Sequence, residues 1–467
     1  MTALTLDRPA VRRPVEVTGW APLIVVLAGT FVTFLDFFIV NVALPAIATD
    51  LHAGPAALSL VVAGYGLTFA AGMIAGGRLG DLYGRRRIFA IGLALFTLTS
   101  AACGLAPTAG LLVTARVLQG AAGALLTPQV LAILGTTYDG GRRGTAFAAY
   151  GFAMGIAGVL GQLLGGALIA ADVAGIGWRA IFLINVPVGL LALPLVGRVV
   201  PESRGPSARL DLVGTVLGTA AIAALVLPLV EGREHGWPLW TELSLAAAPV
   251  LGAVFARHQL ARLRSGRAPL VDLRLFRSRT FAVGSLAAMT FALVPPSFFF
   301  VLALYLQQGR GYSALFSGVV FVAVGVGYFA ALLGATALAA RMGRQVLALG
   351  ALLTAAGAVL LAAASSSASA WDLAPGLALV GFGIGLVLVP LSAMVLAGTD
   401  PAQAGAAAGV LATAQQVGGA VGVAMIGVVF FAAGSLEHAF VVSLLVVAGL
   451  TVLTAALAQL LRPAGQD

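Results

Sequence analysis

The chain of 467 residues is 60% hydrophobic and 9% charged, with a mean hydropathy of +1.05; that is more apolar surface than a water-soluble core can hide. Its formal charge of +9 comes from arginine alone, with no lysine, so no phosphate-binding Gly-x-x-x-x-Gly-Lys loop exists and an ATP-driven pump within the chain is excluded. The single cysteine, Cys103, permits no intramolecular disulfide.

A membrane span needs about 20 apolar residues. Runs of that kind are predicted near 21–46, 58–80, 88–105, 109–136, 145–171, 179–199, 210–230, 240–256, 280–306, 313–338, 346–364, 372–396, 404–431 and 438–461. They are continuous rather than alternating, so they read as helices and not as strands of a membrane barrel. The expected fold is an all-α polytopic membrane protein of about 14 transmembrane helices. Glycine pairs at four-residue spacing, Gly151 with Gly155, Gly161 with Gly165 and Gly418 with Gly422, predict close helix contacts.

The first run is too long for a cleaved signal and carries an acid, so it is read as a retained span. That acid is Asp36, in FVTFLDFFIVNVALP over residues 31–45. A charged side chain at mid-bilayer costs roughly 2.5–3.5 kcal/mol on insertion scales, so such groups face a partner or cavity and mark ion or proton pathways. The competing reading is an acid that only hydrogen-bonds a neighbour such as Asn41.

Between the second and third spans the sequence Gly77-Arg78-Leu79-Gly80-Asp81-Leu82-Tyr83-Gly84-Arg85-Arg86-Arg87 predicts a tight turn whose acid sits among bases. Opposite charges at a helix junction can latch one conformation and release another, which assigns that role to Gly77, Asp81, Gly84 and Arg85. A degenerate copy without the acid recurs at Leu338–Arg344, and the same offset of 259 places Ala340 opposite Asp81 and Pro295 opposite Asp36. Two duplicated six-helix bundles joined by an extra pair account for this register. The implied layout is a tail over 1–20, a first bundle over 21–200, a linker with two extra spans over 201–278, a second bundle over 279–461 and a tail over 462–467.

Arginines alternate between loops. Arg8, Arg12, Arg13, Arg85 to Arg87, Arg142, Arg143, Arg198, Arg204, Arg209, the stretch 257–279, Arg341 and Arg344 fall on one side, against Arg179, Arg233 and Arg310 on the other. The positive-inside rule then puts both termini in the cytoplasm. The stretch 257–279 is either a topology anchor or a site for anionic lipid head groups.

Within the membrane, Arg116 also needs a partner or water. If it approaches Asp36, its field favours the charged carboxylate while burial favours the neutral acid. Phe34, Phe37 and Phe38, with Phe298, Phe299 and Phe300 after Pro295-Pro296, are candidates to line an apolar cavity. Asn41, Gln119, Gln307, Gln415 and Gln416 are candidate polar contacts. Because no other acid is central to a span, a neutral or singly charged lipophilic substrate is favoured.

In this order the stretches resemble the major facilitator superfamily, in its fourteen-span drug/proton antiporter branch. They are Leu35-Asp36 through Asn41 to Pro45, Gly77 to Arg87, Arg116-Val117-Leu118-Gln119-Gly120, and Trp178-Arg179 with Phe182 to Gly189. The likeness continues through Pro269 to Phe281, Tyr305-Leu306-Gln307 and Gly405 to Gly422. One departure stands out: the branch's fifth-span motif reads Gly-Pro with Gly-Gly following, whereas this chain has Gly161-Gln162 and then Gly165-Gly166. Without the proline the helix should run straighter, and Gln162 faces either packing or the cavity.

The resemblance implies alternating-access export of lipophilic drugs, antibiotics or natural products from a bacterium across the plasma (inner) membrane. Asp36 and Arg116 would exchange the proton, and the proton motive force would serve in place of any cofactor. The implied partners are a lipophilic small molecule, protons and membrane lipids, with no nucleic acid and a monomeric chain. A lipid or metabolite exporter or importer on the same scaffold is the alternative. A membrane-embedded enzyme or sensor is a further reading, disfavoured because His52, His235, His258 and His438 show no metal-ligand spacing and no nucleophile stands beside a base.

Overall fold

The computed structural model describes residues 19–204, 211–232, 235–367, 369–397 and 404–461. Arg8, Arg12, Arg13, Arg209, Arg233 and most of both tails lie outside them. Among the described residues every regular element is helical, and 14 segments are long and apolar enough to cross a membrane.

The first half comprises α1 (Ala21–Leu51), α2 (Pro55–Tyr83), α3 (Arg85–Gly104), α4 (Ala109–Thr137), α5 (Gly140–Ala171), α6 (Ala180–Leu183) and α7 (Asn185–Val199). The next two helices are α8 (Leu212–Glu231) and α9 (Leu239–Arg264). The second half comprises α10 (Arg279–Ala292), α11 (Val294–Leu304), α12 (Ala314–Met342), α13 (Gln345–Ala363), α14 (Ala374–Ala397), α15 (Ala404–Ala432) and α16 (Leu436–Gln459). Pro295 and Pro296 lack the amide hydrogens a continuous helix would use, so the ninth span breaks where α10 gives way to α11. It then ends in a π-helical turn over Tyr305–Gly309.

The halves repeat one packing scheme. In the first, α4 packs on α2 and α3 while α1 packs on α5; in the second, α14 packs on α12 and α13 while α10 and α11 pack on α15. Small residues set the spacing: a Cβ added at Gly327 would lie 1.9 Å from the Ala378 carbonyl oxygen, so the α12–α14 crossing admits glycine alone. The equivalent crossing of α2 and α4 has Gly76, whose Cβ would fall 2.2 Å from the Ala124 carbonyl. Of the predicted glycine pairs, Gly151 departs from expectation. It is exposed with nothing near its missing side chain, whereas Gly155 lies against Tyr328 and Phe329.

Across the midline α2 meets α15 and α5 meets α12. The hairpin of α8 and α9 leans on α2 and α15 through α8. Asp211 anchors it at the α8 N-terminus, accepting from Gly214 N at 2.9 Å, His258 Nε2 at 2.8 Å and Gln259 Nε2 at 2.9 Å. Burial pushes the Asp211 carboxyl up, but the bonds from His258, Gly214 and Gln259 and the charge of Arg262 more than reverse this, leaving it below the usual carboxylate range. Gln259 Oε1 in turn accepts from Leu270 N and Val271 N, tying the hairpin to the chain that leads into α10.

Candidate functional site

Four helices of the first half deliver polar side chains to one buried point. Arg116 and Gln119 share a face of α4 at a spacing of three, as Ser100 and Cys103 do on α3. Asp36 projects from the middle of α1, and Asn185 is the first residue of α7. Asp36 and Arg116 are both 0% exposed.

Arg116 Nη1 donates to Asp36 Oδ2 and, at 2.7 Å, to Gln119 Oε1, while its Nε donates to the Val61 carbonyl of α2 at 2.9 Å. Asp36 Oδ1 accepts from Gln119 Nε2 and from Asn185 Nδ2, each at 2.9 Å. Ser100 Oγ accepts from the same two amides and donates to the Phe182 carbonyl. Cys103 Sγ donates to Gln119 Oε1 at 3.4 Å. Every group bonded to Asp36 is a donor, so the arrangement fits the carboxylate. A protonated carboxyl keeps acceptor capacity beside its O–H, so a proton on Asp36 must sit clear of these donors.

The guanidinium lies near two rings. Its Cζ is 4.3 Å from the Tyr65 centroid and 5.6 Å from that of Phe182. Asn41 stands apart: its Nδ2 donates to the Phe38 carbonyl at 3.0 Å, and its role as the partner of Asp36 is taken by Gln119 and Asn185. Asn185 and Ser100 were not singled out by the sequence reading. The usable signal was an asparagine inside the apolar stretch Phe182 to Gly189.

Between the halves is a cavity of about 480 Å³, within the usual range for small-molecule sites. Its walls are mainly aromatic and aliphatic. Phe34 and Phe299 line it, as do Gln415 and Gln162. Gln162 Nε2 donates to the Phe38 carbonyl at 2.8 Å, and α5 runs uninterrupted through this position.

Five proposed cavity residues lie elsewhere; Phe300 is buried in the core against Phe431. Phe298 is 0% exposed in the core, because neighbours on a helix point about 100° apart and α11 turns Phe299, not Phe298, to the cavity. Gln119 is committed to Asp36, and Asn41 to its own helix. Gln307, in the π-helical turn, donates to the Val42 carbonyl across the midline at 2.7 Å. Asp36 and Arg116 are also absent from the cavity wall, whereas Tyr65 is part of it.

The cavity extends past Leu131 and Leu396, toward the end bearing Arg85 to Arg87. At the other end the halves touch. A Cβ on Gly166 would meet the Ala314 carbonyl at 2.4 Å, and one on Gly427 would meet Ser59 Oγ at 2.9 Å; within the first half, one on Gly165 would meet Val42 Cγ1 of α1 at 2.5 Å. Gly161, at 3.2 Å from Phe38 Cβ, continues the α1–α5 seam.

At the basic end Gly84 adopts φ +108°, a conformation side chains disfavour. Arg85 Nη2 bonds Asp81 Oδ1 at 2.9 Å, the Glu202 carboxylate accepts from Arg86 N at 3.0 Å, and Gly77 lies against Pro128. In the second copy Arg344 instead donates to the Leu461 carbonyl. A part-exposed pair such as Asp81–Arg85 contributes about 0–1 kcal/mol, so Asp81→Asn should unfold at nearly the wild-type temperature yet transport more slowly. Unchanged transport at equal expression, beside loss of transport in Ala340→Asp, would remove the first copy from the latch role.

Two six-span halves that repeat one packing scheme, with a cavity between them and a buried ion pair beside it, define a multi-span membrane transporter. The description of the Major Facilitator Superfamily matches residues 26–423, and the chain belongs to that family. It is 36% identical over 436 residues to the probable actinorhodin transporter of Streptomyces coelicolor, covering 91% of this chain and 75% of that one. It is 35% identical over 419 residues to the cephamycin export protein CmcT of Amycolatopsis lactamdurans, covering 88% and 84%. Its fold is similar to that of a solved structure of the xylose transporter XylE from E. coli, with TM-score 0.64, 16% identity and 94% and 97% of the two chains covered.

Proposed function

We propose that this protein exports lipophilic, antibiotic-like small molecules and draws the energy from protons moving inward. The observation that carries the reading is the buried Asp36–Arg116 pair set beside, and not within, a largely apolar cavity between the halves. The cavity supplies the substrate site and the pair the proton site, while relatives named for actinorhodin and cephamycin support export of natural products. Expression in an exporter-deficient bacterium should raise tolerance to some members of a panel of cationic dyes and neutral antibiotics, and a protonophore should cancel the gain. A panel with no change in tolerance or in intracellular accumulation would refute the export reading.

The arginine distribution supports an orientation with the basic end and both termini in the cytoplasm, and the reading is of a monomer in the plasma membrane; the cavity would then face the cytoplasm. An impermeant thiol reagent applied to intact cells should label Gly434→Cys, an exposed position with free space around it, and spare Arg87→Cys. The reverse pattern would invert the topology.

A further inference from the structure

The cavity and the ion pair share one wall, and that wall is Tyr65. Its side chain is 1% exposed and lines the cavity, yet its ring lies 4.3 Å from the Arg116 guanidinium carbon. Phe182 also lies near the guanidinium, at 5.6 Å, so two aromatic rings contact the cation that bonds Asp36. The titratable groups gathered here are Asp36, Arg116, Tyr65 and Cys103, on α1, α4, α2 and α3.

Tyr65 is fixed in place from several directions. Its hydroxyl donates to the Thr33 carbonyl at 3.3 Å. Its ring stacks on Phe69 at 5.8 Å and leans on Phe37 at 5.9 Å, and both neighbours line the cavity. Phe37 continues to Phe38 at 5.2 Å, and Phe38 crosses the midline to Phe299 at 5.5 Å. The adjacent Gly66 faces Ala420 of α15 in the other half, where a Cβ would stand at 3.6 Å. Tyr65 therefore joins the cavity's aromatic surface, the contact between halves and the cation that holds Asp36.

We propose that Tyr65 is the partition and the coupling element of this transporter: it keeps cavity water from Asp36 and moves the Arg116 guanidinium when substrate fills the cavity. Substrate and proton then occupy separate places, and a substrate need carry no positive charge to displace the proton. An aromatic face answers flat apolar molecules by stacking, and the same ring holds Arg116 by cation–π attraction, so a shift of the ring is felt at the Asp36 contact. Tyr65 is a positioning residue, acting through Arg116.

This inference rests on the proton-driven reading, and the test separates the two. The protein is reconstituted in sealed vesicles containing a pH-sensitive dye, and proton entry under an imposed potential is followed without substrate. Wild-type vesicles should be tight and should admit protons only when substrate is added. Tyr65→Ala should leak protons several-fold faster with no substrate present, Tyr65→Phe should restore tightness because the ring remains, and Tyr65→Ala/Asp36→Asn should lose the leak. Should Tyr65→Ala fail to fold, Tyr65→Leu carries the same expectation, with faster reaction of the buried Cys103 toward a permeant thiol reagent as a second readout. A tight Tyr65→Ala beside substrate-driven flux in wild type overturns the partition alone, as does a leak that survives Asp36→Asn. No substrate-driven flux in wild type overturns the proton-driven reading and this inference together.

Discussion

Asp36→Asn should retain its fold and its substrate binding but lose export driven by a pH gradient. The amide nearly matches the acid in shape. Its oxygen can keep the bonds from Gln119 and Asn185 at Oδ1, while its NH₂ group meets the Arg116 donor at Oδ2 and that contact is lost. The coupling term disappears with the exchangeable proton. One inward proton supplies about 2.3 kcal/mol per 100 mV and about 1.4 kcal/mol per unit of pH gradient. At about 1.4 kcal/mol per tenfold, one such increment of each holds a neutral substrate out of equilibrium by a factor on the order of hundreds. That factor should fall to one in the variant, read as substrate accumulation in inverted vesicles under an imposed gradient. Retained accumulation would mean that the proton moves by another route.

Removal of either member breaks the pair from one side, and removal of the cation also takes away a bond that ties α4 to α2. Arg116→Met deletes the bonds to Asp36, Gln119 and Val61 and leaves the carboxylate without its ion partner at 0% exposure. Breaking a buried pair from one side costs about 3–5 kcal/mol, whereas replacing both members by neutral groups can be nearly neutral. Asp36→Asn/Arg116→Met should therefore recover much of the lost stability while remaining inactive in transport. Thermal unfolding in detergent measures this. A single Arg116→Met as stable as wild type, or a double variant less stable than the single, would show that the ion pair does not govern the local packing.

The sequence reading and the structure agree most closely where apolar length decides the outcome. Continuous hydrophobic runs can satisfy their backbone only as helices in a bilayer, so most span boundaries are legible to within about five residues, whereas the eighth, read as 240–256, continues to Arg264; the charge on Asp36 and Arg116 marks both positions. What periodicity does not reveal is which side of a helix meets which neighbour. Phe298 and Phe299 are adjacent and chemically identical, and only the orientation of α11 sends one to the core and the other to the cavity. Gln307 looked like a substrate contact because it is polar in an apolar run, but the π-helical turn directs it across the midline to Val42. Asn185 and Ser100 were harder still, since small polar residues are common in membrane helices and their convergence on Asp36 comes from three separate chain segments. Tyr65 carried no charge to draw attention; its place between the cavity and Arg116 exists only once α2 and α4 are packed.

If Asp36 carries the proton that drives export, substrate-triggered proton movement across reconstituted membranes should separate wild type from Asp36→Asn when the two are measured side by side. Wild type should give a proton signal on substrate addition and Asp36→Asn none, with substrate still bound by both. Undiminished substrate-triggered proton flux in Asp36→Asn would contradict that role for Asp36.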